Sequence, residues 1–217
     1  MLRIKTTKQH KDWWKKRKID WKTSYLDTQD HPHRQLLMWV LKSLEGNPQR
    51  PNWVSVWEIG CGPGANLVKI VKTFPNKAVG GSDINEDAIE LAKKTFVQNL
   101  PFRVESSENL LMSDKSVDLI LSDASLIYIG PTKIKKVLEE MKRVSRNFVV
   151  LCEFHEKSWW KRVLLRLRTG YNAYDYEKLL EELGCFDIRK VKITKDFWEG
   201  PPWTEYGYII TANLPQR

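Results

Sequence analysis

The run Val54-Ser55-Val56-Trp57-Glu58-Ile59-Gly60-Cys61-Gly62-Pro63-Gly64 constrains this chain more than any other stretch. An apolar strand pattern leads into an acidic residue, then glycines at every second position. A helical pattern follows, with Leu67, Val68, Ile70, Val71 and Phe74 sharing one face before Pro75 and Asn76. A turn without Cβ atoms can adopt positive φ and let a ligand lie against the backbone. The following helix offers free N–H groups and the positive end of its dipole, which suit a carboxylate. Glu58 can face an ammonium group, so this segment can answer both charges of an amino-acid moiety. Asp83 ends the next strand pattern, where a carboxylate can accept hydrogen bonds from ribose hydroxyls. Ile84 beside it can pack on an adenine face. Together these residues describe a nucleoside-containing ligand at the carboxyl ends of a parallel sheet.

The remaining periodicity supports such a sheet. Strand patterns recur at Val54–Ile59, Ala78–Asp83, Phe102–Ser106, Val117–Leu121, Asn147–Cys152, Ile188–Ile193 and Tyr206–Ala212. Helical patterns separate most of them: one capped by Asn85 and running to about Gln98, one after Pro131, and one over Asp175–Leu183 ended by Gly184. Alternation of this kind predicts an α/β fold, Rossmann-like, with a mostly parallel seven-stranded sheet and helices on both faces. Two helices are expected ahead of it, a charged one over residues 10–24 and one over Pro32–Leu44 stopped by Gly46-Asn47-Pro48. Residues 1–50 thus read as an N-terminal helical extension or lid. The main domain is 51–217, with a basic helical insertion at about 156–172.

The chain has 217 residues, of which 41 % are hydrophobic, ordinary for one globular domain. No apolar run approaches the roughly 20 residues that span a bilayer. The basic N-terminus lacks an apolar h-region, so no secretory signal is expected. Cys61, Cys152 and Cys185 match no disulfide framework and no metal-ligand spacing, which points to free thiols in the cytoplasm and to no metal. The net charge of +9 is concentrated in residues 1–24 and 156–169, leaving the remainder slightly acidic. Each basic segment carries a tryptophan pair, Trp13-Trp14 and Trp159-Trp160. Cations interleaved with Trp and Leu suit an anionic surface, either membrane headgroups at the periphery of a bilayer or nucleic acid.

Over roughly residues 54–212 the sequence resembles the class I S-adenosylmethionine-dependent methyltransferases. Glu58-Ile59-Gly60-Cys61-Gly62-Pro63-Gly64 matches the first motif of that family, and Ser82-Asp83-Ile84 its ribose-binding acid. Ser106-Ser107-Glu108-Asn109-Leu110 resembles its adenine-contacting turn, with Ser106 where the family usually has Asp. Val117-Asp118-Leu119-Ile120-Leu121-Ser122-Asp123 resembles the fourth strand and the loop beside the reactive sulfonium. Leu183-Gly184-Cys185-Phe186 before two strands resembles the family's ending, in which the last strand runs antiparallel.

The resemblance implies S-adenosyl-L-methionine as cofactor, held by Glu58, Gly60, Cys61, Gly62, Gly64, Asp83, Ile84, Ser106, Ser107, Glu108 and Asp123. It implies acceptor-side roles for Asp123, Tyr128 and His155, the last a candidate base near neutral pH. It also implies that the N-terminal helices and the insertion after the fifth strand cover the acceptor pocket. Gly60-Cys61-Gly62-Pro63-Gly64-Ala65 also fits the dinucleotide fingerprint, but Glu58, Gly64 and the terminal strand pair favour the methyl donor. Ser122-Asp123-Ala124-Ser125 lacks the Asn/Asp-Pro-Pro-Tyr/Phe run of enzymes that methylate nucleobase or glutamine amino groups. The expected acceptor is a small or lipid-like, anionic metabolite. The alternatives are an RNA substrate bound by the two basic segments and a non-catalytic binding module on the same fold. Nothing in the sequence specifies an oligomeric state.

Overall fold

The computed structural model describes residues 5–46, 52–96 and 101–215. Seven strands form one sheet: β1 (Ser55–Ile59), β2 (Ala78–Asp83), β3 (Phe102–Val104), β4 (Val117–Asp123), β5 (Ser145–Phe154), β6 (Phe186–Lys192) and β7 (Gly207–Asn213). They lie in the order β3-β2-β1-β4-β5-β7-β6. β1 to β5 pair in parallel, and β7 runs antiparallel between β5 and β6. The order reverses at β1, which has β2 on one side and β4 on the other. That is the switch point where an open α/β sheet leaves a crevice at its carboxyl edge.

Strand residues alternate between two apolar layers, as the period of two requires. Val56, Leu119 and Val150 pack on one face with Leu41, Leu67, Ile70 and Ile89. Trp57, Ile120 and Val149 pack on the other with Val137, Leu138, Met141 and Leu180. The first set of helices is α3 (Pro32–Ser43), α4 (Ala65–Thr73) and α5 (Glu86–Thr95); the second is α6 (Ile134–Val144) and α8 (Tyr176–Glu182). Each fully buried aliphatic side chain stabilises the domain by about 2 kcal/mol.

The charged segment before α3 is two helices rather than one, α1 (Thr7–Lys16) and α2 (Trp21–Ser24). Arg17 leaves the helix in an extended conformation, and Asp20 caps α2 by accepting from the N–H groups of Lys22 and Thr23 at 3.1 Å. Thr6 and Gln9 cap α1 reciprocally. The insertion after β5 is the helix α7 (Trp159–Thr169), and the last connection holds a short helix, α9 (Trp203–Tyr206). The expected end of α5 near Gln98 and the Asn47-Pro48 stop lie outside the described residues. Among the described residues no helix is long and apolar enough to cross a membrane.

Candidate active site

A cavity of about 340 Å³ opens at the carboxyl edge of β1, β2 and β4. Its floor carries Glu58, Gly60, Cys61, Gly62, Asp83, Ile84, Ser106, Ser107 and Asp123, and Tyr128 joins its wall, all named by the sequence. Three other expected residues, Gly64, Glu108 and His155, do not line it.

Glu58 shows how strand and turn build the floor. Its side chain is buried, and Oε1 accepts a 2.6 Å bond from Asn66 Nδ2. Oε2 is buried without any partner. Burial pushes the carboxyl up to about 8, with the Asn66 bond opposing it and Asp123 adding to it. A buried acid with one bare oxygen is costly alone and well suited to a cationic ligand group. Asp83 accepts from Gly62 N–H through Oδ2 and from Asn85 N–H through Oδ1, both at 2.9 Å. Burial raises its pKa while those bonds pull the other way. Each oxygen keeps a lone pair for a further donor. At Gly62, φ is +53°, and a Cβ built there would meet nothing within 4 Å. The backbone is open where the cavity begins.

An acid stands one residue before Ser106. β3 ends at Val104, short of the expected Ser106, so Glu105 is the first side chain free of the strand and lines the cavity. Its Oε2 accepts from Leu111 N–H at 2.9 Å, and its Oε1 is buried and unpartnered. Glu108 instead pairs with Lys11 and, at 3.4 Å, with Lys133. Lys11 also donates to Ser106 Oγ at 2.7 Å, so this acidic turn fastens α1 down. Gly64 is a packing position, because a Cβ there would lie 2.6 Å from the Phe96 ring.

Asp123 belongs to a network whose partners the sequence reading missed. Its Oδ2 meets His33 Nε2 and Asn66 Nδ2, both at 2.9 Å. Burial works to raise its pKa, but His33, Arg34 and Asn66 outweigh it and hold the carboxyl well below the usual range. His33 Nδ1 lies 2.6 Å from His31 Nδ1, which also accepts the His33 backbone N–H. One ring nitrogen of His33 therefore faces a carboxylate and the other a second imidazole. Both rings pack on Trp198, at 4.8 and 4.4 Å between centroids. His33 and Arg34 open α3, where a buried polar pair at the head of an apolar helix was the available signal.

His155 lies off the cavity because of the strand period. β5 continues to Phe154, so Val150, Cys152 and Phe154 face the cavity side, whereas Val149, Leu151, Glu153 and His155 face the opposite layer. There His155 Nδ1 accepts from Tyr176 N–H at 3.2 Å, and its Nε2 lies 3.3 Å from Glu177. His155, Asp175 and Glu177 bring ligand atoms within 4.8 Å, but Glu177 is already shared with Lys157 and Lys190. Glu153 on the same face clamps the loop after β4. It accepts from Ser122 Oγ at 2.7 Å, from Ser125 and Leu126 N–H at 3.0 and 2.9 Å, and from Ile127 N–H at 3.2 Å. Glu153→Ala strands those donors and should lower the unfolding free energy by about 3–5 kcal/mol in a denaturant titration.

The roof comes from the N-terminal helices. His10, Lys11, Trp14, Trp21 and Tyr25 all line the cavity. Asn85 caps α5 through Oδ1 and donates through Nδ2 to Trp14 O at 2.8 Å and Arg17 O at 2.9 Å. The extension therefore touches Ser106 and Asn85 at one end of the cavity and Tyr128 at the other. His10 is buried, and its Nε2 has no partner. Burial holds His10 below its ordinary pKa, against a hydrogen bond with the Gly170 backbone. Tyr128 packs against His10 and Trp14 at 5.3 Å and against Tyr171 at 5.6 Å. Burial pushes its phenol far above the ordinary value, so it stays protonated. Of the two tryptophan pairs only Trp14 lines the cavity; Trp13, Trp159 and Trp160 do not.

Residues 56–147 match the family described as "Methyltransferase domain". Malonyl-(acyl-carrier protein) O-methyltransferase of Bacillus cytotoxicus is 30 % identical over 99 residues, which are 45 % of this chain and 34 % of that protein. Malonyl-(acyl-carrier protein) O-methyltransferase 1 of Ilyobacter polytropus is 34 % identical over 108 residues, 49 % of this chain and 37 % of that protein. The matched stretch spans about a third of the length of these relatives. Magnesium protoporphyrin IX methyltransferase from Synechocystis PCC 6803, solved with bound SAM, superposes with a TM-score of 0.65 at 16 % identity, covering 99 % of this chain and 100 % of that one. At that identity the likeness is one of fold.

Proposed function

The chain belongs to the class I S-adenosylmethionine-dependent methyltransferases, and we propose that it methylates a small or lipid-like anionic metabolite inside the roofed cavity. The observation that carries the reading is the buried, unpartnered Oε2 of Glu58 beside the open backbone at Gly62. These fit the ammonium and carboxylate ends of the donor. Asp83 fits its ribose hydroxyls, Ile84 its adenine face, and the bare Oε1 of Glu105 its exocyclic amine. The bound donor supplies an electrophilic methyl group on a sulfonium.

The chain's own residues supply binding, orientation and dryness. Trp14, Trp21, Tyr25 and Tyr128 exclude water from above. Asp123 is held by His33 and Asn66, and both ring nitrogens of His33 already face protein partners rather than the cavity space. His10 has a ring nitrogen without a partner, and its lowered pKa keeps it neutral at physiological pH. We assign to His10 Nε2 the acceptance of the proton that an alcohol acceptor loses; a carboxylate acceptor attacks already ionised and asks of His10 only its place in the wall. The buried Trp14 Nε1, Trp21 Nε1 and Arg34 Nε are donors without partners, which supports an acceptor rich in oxygen. The matched relatives are named for O-methylation of a malonyl group, an anionic acceptor of that kind.

Glu58 makes the test sensitive to pH. In the free cavity its pKa stands near 8, so it is protonated at neutral pH. A bound ammonium favours the carboxylate and lowers that value, so binding releases a proton. Affinity for S-adenosylhomocysteine should therefore rise with pH, by up to about tenfold between about pH 6 and 7. The pH trend should vanish in Glu58→Gln. Calorimetry that shows a flat profile in the wild type removes Glu58 from the donor seat. Donor consumption with a pooled anionic-metabolite extract, and none with total RNA, is the matching result for the acceptor.

A further inference from the structure

α7 leaves more large apolar side chains exposed than any other described helix. Of its 11 residues only Leu165 is buried. Trp159, Trp160, Val163 and Leu167 are 70, 53, 49 and 38 % exposed. At about 3.6 residues per turn these four, with Leu164, fall within one continuous arc, and Leu165 points the other way into the body. Lys161 and Arg168 border that arc on one side, and Arg162 and Arg166 on the other. The helix contains no acid. Arg166 and Arg168 make no ion pair among the described residues, while Lys161 lies a loose 3.8 Å from Glu156. A folded domain that keeps two tryptophans and a valine in water beside unpaired cations is dressed for a surface that is apolar within and anionic outside.

The far end of α7 also borders the reaction site. Arg166, Arg168 and Gly170 line a groove of about 390 Å³ together with Trp13, and His10 and Tyr171 wall both this groove and the donor cavity. A molecule held at α7 therefore has a basic, aromatic-lined passage toward His10. We infer that α7 is an interfacial helix that docks the enzyme on anionic lipid bilayers and brings this groove to the headgroup layer. This rests on the methyltransferase reading and names the surface from which a lipid-like acceptor enters. Charge decides the occupant: Arg166 and Arg168, which have no acidic partner among the described residues, match headgroups of net negative charge, whereas in a zwitterionic bilayer each phosphate already has its own cation.

The test is co-sedimentation of the full chain with vesicles of phosphatidylcholine containing one third phosphatidylglycerol, run beside pure phosphatidylcholine vesicles, a structured RNA and S-adenosylhomocysteine calorimetry. The wild type should sediment with the anionic vesicles, stay in solution with the neutral ones, and release as salt rises. Trp159→Ser/Trp160→Ser removes exposed side chains only and should lower vesicle partitioning about tenfold or more, with S-adenosylhomocysteine affinity unchanged. Lys161→Gln/Arg168→Gln should do the same by loss of charge. Wild-type protein that ignores anionic vesicles overturns the docking helix. So does an RNA shift that the tryptophan variant abolishes, or a wild-type dimer that this variant splits. Failure of the wild type to bind S-adenosylhomocysteine would instead strike the methyltransferase reading, so the two failures are told apart.

Discussion

Gly62→Val should abolish binding of S-adenosylmethionine and its demethylated product while the domain stays folded. Two structural facts separate the ligand from the fold at this position. The φ of +53° is one a β-branched residue adopts only under strain, worth on the order of 1–2 kcal/mol, which a domain of ordinary stability survives. The space beyond the missing Cβ holds no protein atom within 4 Å, so the new side chain meets no neighbour and fills the donor seat instead. Its N–H, which bonds Asp83, is also displaced when the turn adjusts, so the acid after β2 loses its alignment at the same time. A loss of at least about 3 kcal/mol in donor affinity is expected, beyond the range of a weak calorimetric titration. Gly60→Ala makes a poor substitute, since its Cβ would fall 2.1 Å from Ser125 Oγ and disturb the loop after β4 directly. Circular dichroism and a thermal melt establish that Gly62→Val is folded, and normal donor binding by that protein would remove the glycine turn from the site.

That Glu58, Gly62 and Asp83 would line one cavity was legible in the sequence because the parts are local. A strand, a turn that needs positive φ and an acid at the end of the next strand are each set by a few neighbouring residues, and the parallel sheet then brings Glu58, Gly62 and Asp83 together. The errors have equally local causes. β3 stops after Val104 rather than at Ser106, so the acid that lines this part of the cavity is Glu105. β5 runs on to Phe154, and by strict alternation His155 then falls on the wrong layer. One residue of register reverses a side chain's face, and periodicity alone does not fix where a strand ends.

What the sequence hid altogether is long-range. Asn66 reads as an ordinary residue of a helix, yet it joins Glu58 to Asp123 across two strands. Trp198 and Trp203 sit in a Gly- and Pro-containing connection with no periodic signal, and they complete the cavity from the far end of the chain. His10 carried no local mark either. Its candidacy comes from a bare, buried nitrogen, which only the assembled packing of α1 against the loop after β4 creates.

Deleting residues 1–22 should remove most turnover and also weaken the donor, because the two halves of the cavity share this roof. The extension contributes His10, Lys11, Trp14 and Trp21 to the cavity wall. Without them the reacting atoms stand in water and the proposed proton acceptor is gone. Loss of a positioned base alone is worth about 10²- to 10⁴-fold in rate, and loss of orientation adds to it. Donor affinity should fall by about tenfold rather than stay constant, since Ser106 loses Lys11 and Asn85 loses the carbonyls of Trp14 and Arg17. Exposure of the Tyr128 face could unfold the truncated chain, and two point variants keep the question answerable. His10→Gln retains bulk and hydrogen bonding, so it should leave donor affinity intact while cutting turnover of an alcohol acceptor and removing the acid limb of the pH–rate profile. That limb lies below the ordinary histidine range because burial lowers the His10 pKa. Trp14→Ala should do the reverse in part, loosening both halves through the ring contacts it makes with Trp21, Tyr25 and Tyr128. A His10→Gln enzyme with the wild-type rate and an unchanged pH profile would return the proton to solvent and leave α1 as a roof alone.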